Sequence, residues 1–151
     1  MTFDLERFTQ AQDTKGGFTQ AIAELDAGAK RSHWIWYIFP QLAGLGSSPM
    51  AERYGLRGAD EATAYLGHPI LRERLLSAMN AVRRQSVPLR TLMGSHIDAL
   101  KLVSSMTLFR EIGRRVNDDE VSEAADSILT AAERQGLAEC EFTKRALLRQ
   151  T

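Results

Sequence analysis

Cysteine is nearly missing from this chain of 151 residues: Cys140 stands alone. No internal disulfide can form, a multi-cysteine zinc site is excluded, and a reducing compartment fits. Long apolar runs are missing too. None approaches the ~20 residues that a membrane-crossing helix needs. The start, Thr2-Phe3-Asp4-Leu5-Glu6, lacks the basic and then apolar pattern of a secretory leader. Net charge is absent, because 19 basic and 19 acidic residues cancel. That balance argues against a general nucleic-acid coat and against an acidic-tail partner. Also lacking are a Gly-Lys-Ser/Thr phosphate loop, Ser-x-x-Lys, Gly-x-Ser-x-Gly and the His-Glu-x-x-His zinc motif. The expectation is a cytoplasmic protein with no metal and no cofactor, neither in nor across a membrane. Its 151 residues form a single domain, long enough to bury roughly 68–70% of its unfolded surface.

Proline is scarce, and its four copies act as punctuation. Pro40 stops a helix and Pro88 punctuates before a turn of helix from Leu89 to Met93, while Ser48-Pro49 and His68-Pro69 start helices, the first residue of each pair capping. Between these marks the apolar spacing is helical almost throughout. Asp4 is expected to cap a first helix carrying Leu5, Phe8 and Ala11. Phe18, Ala21, Ile22, Leu25 and Ala29 form a second face. Helices follow up to Tyr54, from Asp60 to Leu66, and along Leu71, Leu75, Ala78, Met79 and Val82. A wide apolar face runs from Ile97 to Val116. Asn117 with Glu120 reads as a capping box for a helix carrying Val121, Ala124, Ala125, Ile128 and Ala132. Glu139 to Arg149 forms the last helix. No repeat, linker or low-complexity run interrupts the pattern. The fold class is all-α, with about eight to ten helices.

The stretch Ser32-His33-Trp34-Ile35-Trp36-Tyr37-Ile38-Phe39-Pro40-Gln41 stands apart, holding both tryptophans of the chain. Its composition suits a buried strand. No other segment offers a strand partner, and a lone strand would leave buried backbone groups unpaired. It is therefore read as a short central helix from His33 to Phe39, around which the others pack. His33 is a candidate acid–base group, because imidazole titrates near neutrality. Trp34 and Trp36 either fill the core or offer a face to a ring. Being two apart, they point to different faces, so at most one lines a given pocket. Lys30 and Arg31 precede the stretch. Gly44-Leu45-Gly46-Ser47-Ser48 follows it and leads into a helix N-terminus, a place that favours an anion or simply makes a tight capped turn.

A second candidate lies in Asp98-Ala99-Leu100-Lys101-Leu102-Val103-Ser104-Ser105. Asp98 and Lys101 are spaced to pair, and Lys101 neighbours Ser104 and Ser105 one turn on. Such a lysine can hold a phosphate or, with a depressed pKa, activate a serine. The structural alternative has each hydroxyl bonded to the carbonyl one turn back and Lys101 reaching solvent. Arg72, Arg74, Arg83, Arg84 and Arg90 form a basic strip that suits either phosphates or a solvated helix face.

Taken together, Phe8…Ala11-Gln12, Gly28…Lys30…Ser32 to Leu42…Gly44-Leu45-Gly46, Ala64-Tyr65-Leu66…His68-Pro69…Leu71 and Asp98…Lys101-Leu102…Ser104-Ser105-Met106-Thr107-Leu108-Phe109 resemble the bacterial domain-of-unknown-function family eighteen-ten. The resemblance covers residues 5 to 110; beyond Val116 only the helical pattern agrees. Val103 departs from the polar or basic residue often found at that place, removing one polar contact near the serines. The resemblance implies an all-α, multihelical fold and no activity. Tyr65 to Leu75 is also similar to the small all-α NADAR group, linked to ADP-ribose and N-glycosidic chemistry. The resulting expectation is a protein that binds a nucleotide-like, phosphate-bearing small ligand, and an enzyme if that ligand is turned over. Lys30, Trp34, Trp36, Gln41, Gly44, Gly46, Ser47, Ser48, Ser104 and Ser105 would bind it, with His33 and Lys101 as catalytic groups. The alternative is a non-enzymatic adaptor whose basic strip meets an acidic protein partner.

Overall fold

From Leu102 to Phe109 every residue is buried, so one helix runs through the interior with no solvent-facing side along this stretch. The computed structural model describes residues 2–150. Its elements are α1 (Glu6–Asp13), α2 (Phe18–Asp26), α3 (Ile35–Ile38), α4 (Pro49–Tyr54), α5 (Gly58–Gly67), α6 (Pro69–Arg83), α7 (Leu89–Leu92), α8 (His96–Arg115), α9 (Asp119–Arg134) and α10 (Glu141–Leu148). The fold is all-α, with ten helices among the described residues. The long buried helix is α8. It packs chiefly on α9 and is covered by α5, α7 and α10, while α2 and α9 flank α6.

The aromatic stretch forms less helix than its composition suggests. His33 and Trp34 lie outside α3, which is a single turn of four residues. Trp34 has φ −121° and ψ 3°, off the helical path, because its indole is tied elsewhere. Pro40 ends the turn as expected. Even so, α3 sits where α1, α4, α6 and α8 meet. Past Pro40 the chain makes the one strand-like contact among the described residues, a parallel bridge between Leu42 and Leu56. The Leu56 N–H donates to the Gln41 carbonyl at 2.9 Å and the Ala43 N–H to the Leu56 carbonyl at 2.8 Å. This isolated bridge lies past the aromatic stretch, so among the described residues His33 to Phe39 has no strand partner, as expected.

Several helix starts follow the sequence. Ser48 and His68 accept bonds from Ala51 and Leu71, each with proline at the first helical turn. Others depart from it. Asp4 makes no cap: Leu5 occupies that position without a side-chain bond. α5 begins at Gly58 rather than Asp60, with the Ala59 N–H reaching Gln150 Oε1. The expected capping box of Asn117 and Glu120 is absent. Asn117 takes the left-handed conformation, φ 59°, to turn the chain out of α8, and Asp118 caps α9 by accepting from the Val121 N–H. Arg72 grips that same carboxylate at 2.7 and 2.9 Å and reaches Glu120 at 3.2 Å. This guanidinium holds the Asp118 carboxyl below its ordinary range. Sequence spacing favoured Asn117 as the cap. Arg72, 46 residues away, favours Asp118.

Asparagine tolerates the left-handed region, whereas a β-branched residue does not. Asn117→Val is therefore expected to destabilise the protein by about 1–2 kcal/mol. Asn117→Gly should stay within ~0.5 kcal/mol of the parent. Urea unfolding of the three proteins measures both, and equal losses for valine and glycine would rule out conformational strain as the cause.

Candidate functional site

Glu24 interrupts the apolar face of α2, and it is 5% exposed. One carboxylate oxygen accepts from the Arg31 N–H at 2.7 Å, the Ser32 N–H at 2.9 Å and the Trp34 indole N–H at 3.0 Å. The other accepts from Ser32 Oγ at 2.5 Å and Gln20 Nε2 at 2.7 Å. Burial pushes its pKa up, but the bonds from Ser32, Gln20 and the Arg31 and Ser32 amides outweigh that. The carboxyl ends well below its ordinary value of 4.5. The α2–α3 loop is thereby fixed, and Trp34, fully buried, is a core residue rather than an open stacking platform.

The loop then docks onto the start of α8. The Lys30 N–H donates to the Leu92 carbonyl at 2.7 Å. A Cβ on Gly94 (φ +83°) would stand only 2.9 Å from the Lys30 carbonyl. This close approach places the Lys30 side chain, 5% exposed, 2.9 Å from Asp98, with its ammonium 5.1 Å from the centre of the Trp34 ring. The other Asp98 oxygen lies 3.5 Å from Lys101. Lys101 in turn sits 4.7 Å over the centre of the Trp36 ring. The outcome is one chain of alternating groups: indole, ammonium, carboxylate, ammonium, indole. Lys30, Trp34, Trp36 and Lys101 are brought together, and the pairing of Asp98 with Lys101 read from their spacing is present.

Ser105 lies one turn beyond Lys101 on the same face of α8 and is fully buried. Among the described residues its hydroxyl has no hydrogen-bond partner, and neither does the buried Trp36 indole N–H. The expected bond to a carbonyl one turn back is made by Thr107, to Val103 at 2.8 Å, rather than by either serine. The Ser104 hydroxyl instead meets Thr143 of α10 at 3.4 Å. α10 also closes over the glycine turn: a Cβ on Gly44 (φ +98°) would come 3.2 Å from the Phe142 ring. Trp36, Lys101, Ser104 and Ser105 therefore lie along the stretch of α8 on which α3 and α10 each pack, and Gly44 touches α10 through Phe142.

The remaining candidates lie apart from it. His33 is exposed and hydrogen-bonds to no group among the described residues. Gln41 takes part through its carbonyl, in the bridge to Leu56. Gly46 packs against Ala51, Ser47 is exposed, and the Ser48 hydroxyl caps α4 at 3.1 Å from the Ala51 nitrogen. That helix has six residues, and its serine already uses one of the free N–H groups an anion would need. The basic strip is largely engaged by groups of the same chain, several of them at the surface. Arg72 is held by Asp118, Arg74 by Asp13 at 2.8 Å and Arg84 by Asp26 at 3.1 Å. Arg90 donates to the Gln135 carbonyl at 2.9 Å.

Of the other buried polar residues that sequence reading missed, two tie distant elements together. Gln12 donates to the Tyr37 carbonyl at 2.8 Å and to the Tyr65 hydroxyl at 3.3 Å. Glu61 takes both arms of Arg7, at 2.9 and 3.1 Å, beside a cleft of about 700 Å³ also lined by Arg53 and Arg57. For Glu24 the signal was available: it follows Ala21 by three residues and precedes Leu25, on the buried stripe.

The model of the family described as "Protein of unknown function (DUF1810)" matches residues 2–135. The match extends through α9, farther than residues 5 to 110. The chain is similar in structure to the conserved hypothetical protein Rv1873 from Mycobacterium tuberculosis, solved by crystallography. The TM-score is 0.79, the identity 38%, and the alignment covers 97% of each chain. No curated protein matches the chain.

The folded pKa of Glu24 lies below its unfolded value, so its contribution to stability is complete above pH ~4.5 and is lost as pH falls below that. Glu24→Gln turns an amide donor toward existing donors and should lose about 3 kcal/mol at pH 7. The gap between parent and variant should narrow at pH 3.5. Denaturant titrations at the two pH values measure this, and an unchanged gap would show that the charge is not what holds the loop.

Proposed function

Starting from the fact that the chain belongs to the DUF1810 family, we propose that it binds a small phosphate-bearing ligand of nucleotide type at the α3–α8–α10 junction. One observation carries this reading: among the described residues Ser105 Oγ and Trp36 Nε1 are buried without partners, the first one helical turn on from Lys101 and the second on the ring that Lys101 overlies. Leaving such a group unpaired costs about 1–3 kcal/mol, and native folds rarely keep two without a use for them. Both groups can donate, so they suit oxygen acceptors on a ligand. Lys101, with its side chain 26% exposed, is within reach of solvent and neutralises an anion. A nucleotide meets all three demands, since its ring can take the indole face when Lys101 moves to the phosphate. The resemblance of Tyr65 to Leu75 to the NADAR group puts ADP-ribose among the ligands to test.

Thermal unfolding with millimolar AMP, NAD or ADP-ribose tests the proposal. Binding should raise the midpoint by about 2–4 °C for each kcal/mol of linked free energy. Lys101→Met should remove most of that rise while itself folding. No rise with any of the three ligands would sink the proposal.

A further inference from the structure

We infer that Asp98 is an internal counter-anion that competes with the ligand for Lys101, and so sets the affinity and anion preference of the α3–α8–α10 junction. The inference rests on the ligand-binding reading above and goes beyond it, because it assigns a role to a residue that need not touch the ligand. The geometry is asymmetric. Asp98 lies 2.9 Å from Lys30 and 3.5 Å from Lys101. Lys30 is the more enclosed of the two, with a side-chain exposure of 5% against 26%. It is also held by a bond to the Ser32 carbonyl at 2.5 Å and by the Trp34 face. Among the described residues Lys101 has the longer contact to Asp98 and the Trp36 face. An arriving anion therefore draws Lys101 away while Asp98 keeps Lys30. The carboxylate is not stranded, which removes the main penalty for breaking a partly buried pair. The same carboxylate opposes any anion that fails to engage Lys101 closely, so it selects for compact charge, such as a phosphate group, over diffuse charge.

Two substitutions at the one carboxylate pair should act in opposite directions. Asp98→Asn keeps the shape and frees Lys101, and should tighten AMP binding by roughly threefold to tenfold. Lys30→Met leaves Asp98 with Lys101 as its nearest cation, and should weaken AMP binding by a similar factor. Glu133→Gln removes one negative charge from an exposed position on α9 and should leave the affinity unchanged. Calorimetric titration of all four proteins with AMP and with inorganic phosphate reads these changes, and phosphate alone should show the same order. Tightening by Asp98→Asn and by Glu133→Gln alike would reduce the effect to net charge and overturn the inference. So would binding to the parent with no change, or a loss, in Asp98→Asn; in that case the ligand site itself still stands. Absence of binding to the parent and to Asp98→Asn would overturn the site and the inference together.

Discussion

The carboxylate of Glu24 carries no cation against it; five donors from a helix and a loop hold it instead. Taking a carboxylate out of water costs several kcal/mol, and hydrogen bonds to a charged group return about 1.5–3 kcal/mol each. The balance favours the ion only if the loop closes completely around it. This condition fixes the path from Arg31 to Trp34 and stops the aromatic stretch from becoming a longer helix. It also delivers Lys30 to the start of α8. Every contact described at the junction of α3 and α8 lies downstream of that closure.

Buried polar side chains repeat this stitching elsewhere. Gln12 joins α1 to the carbonyl of Tyr37 and the hydroxyl of Tyr65, and accepts from Arg74 at 3.2 Å. Glu61 joins α5 to Arg7 and to the Arg57 N–H at 2.8 Å. Helices as short as α3, α4 and α7 gain little from their own backbone bonds, because a turn of helix costs more to nucleate than it returns. Their order comes from such side-chain ties and from packing on α8. The aromatic contacts of Phe8 with Tyr54 and Tyr65, and of Tyr65 with Phe109, run from α1 through α5 to α8 and complete that packing.

Against this well-satisfied interior, the junction at Trp36 and Ser105 differs. Two donors lack partners among the described residues, one a helical turn on from Lys101 and one on the ring that Lys101 overlies, and the carboxylate of that lysine is shared with another lysine. A fold that pairs Glu24, Gln12 and Glu61 so fully shows what its packing can achieve, and the junction departs from it. The arrangement of charges also explains why zero net charge says little about ligand binding. On the proposed reading an anion would meet the local sequence of Lys30, Asp98 and Lys101, which the sum over the chain does not describe.

Much of this was legible in the residues. Helical spacing identified the all-α class, prolines marked four helix boundaries, and the spacing of Asp98 and Lys101 announced their pair. Those features depend on neighbours within a turn or two, where geometry follows from backbone regularity. Glu24, Asp118 and Ser105 were different. Whether Asn117 or Asp118 caps α9 depends on Arg72. Whether Trp34 faces a ligand or the core depends on a carboxylate ten residues earlier. Whether Ser105 bonds its own helix depends on what lies against α8. The sequence by itself determined most of the helices and their class, because these follow from local periodicity. Only the tertiary structure decided which polar groups lie buried and which of them are satisfied, because the partner of a buried donor is set by helices that meet from distant parts of the chain.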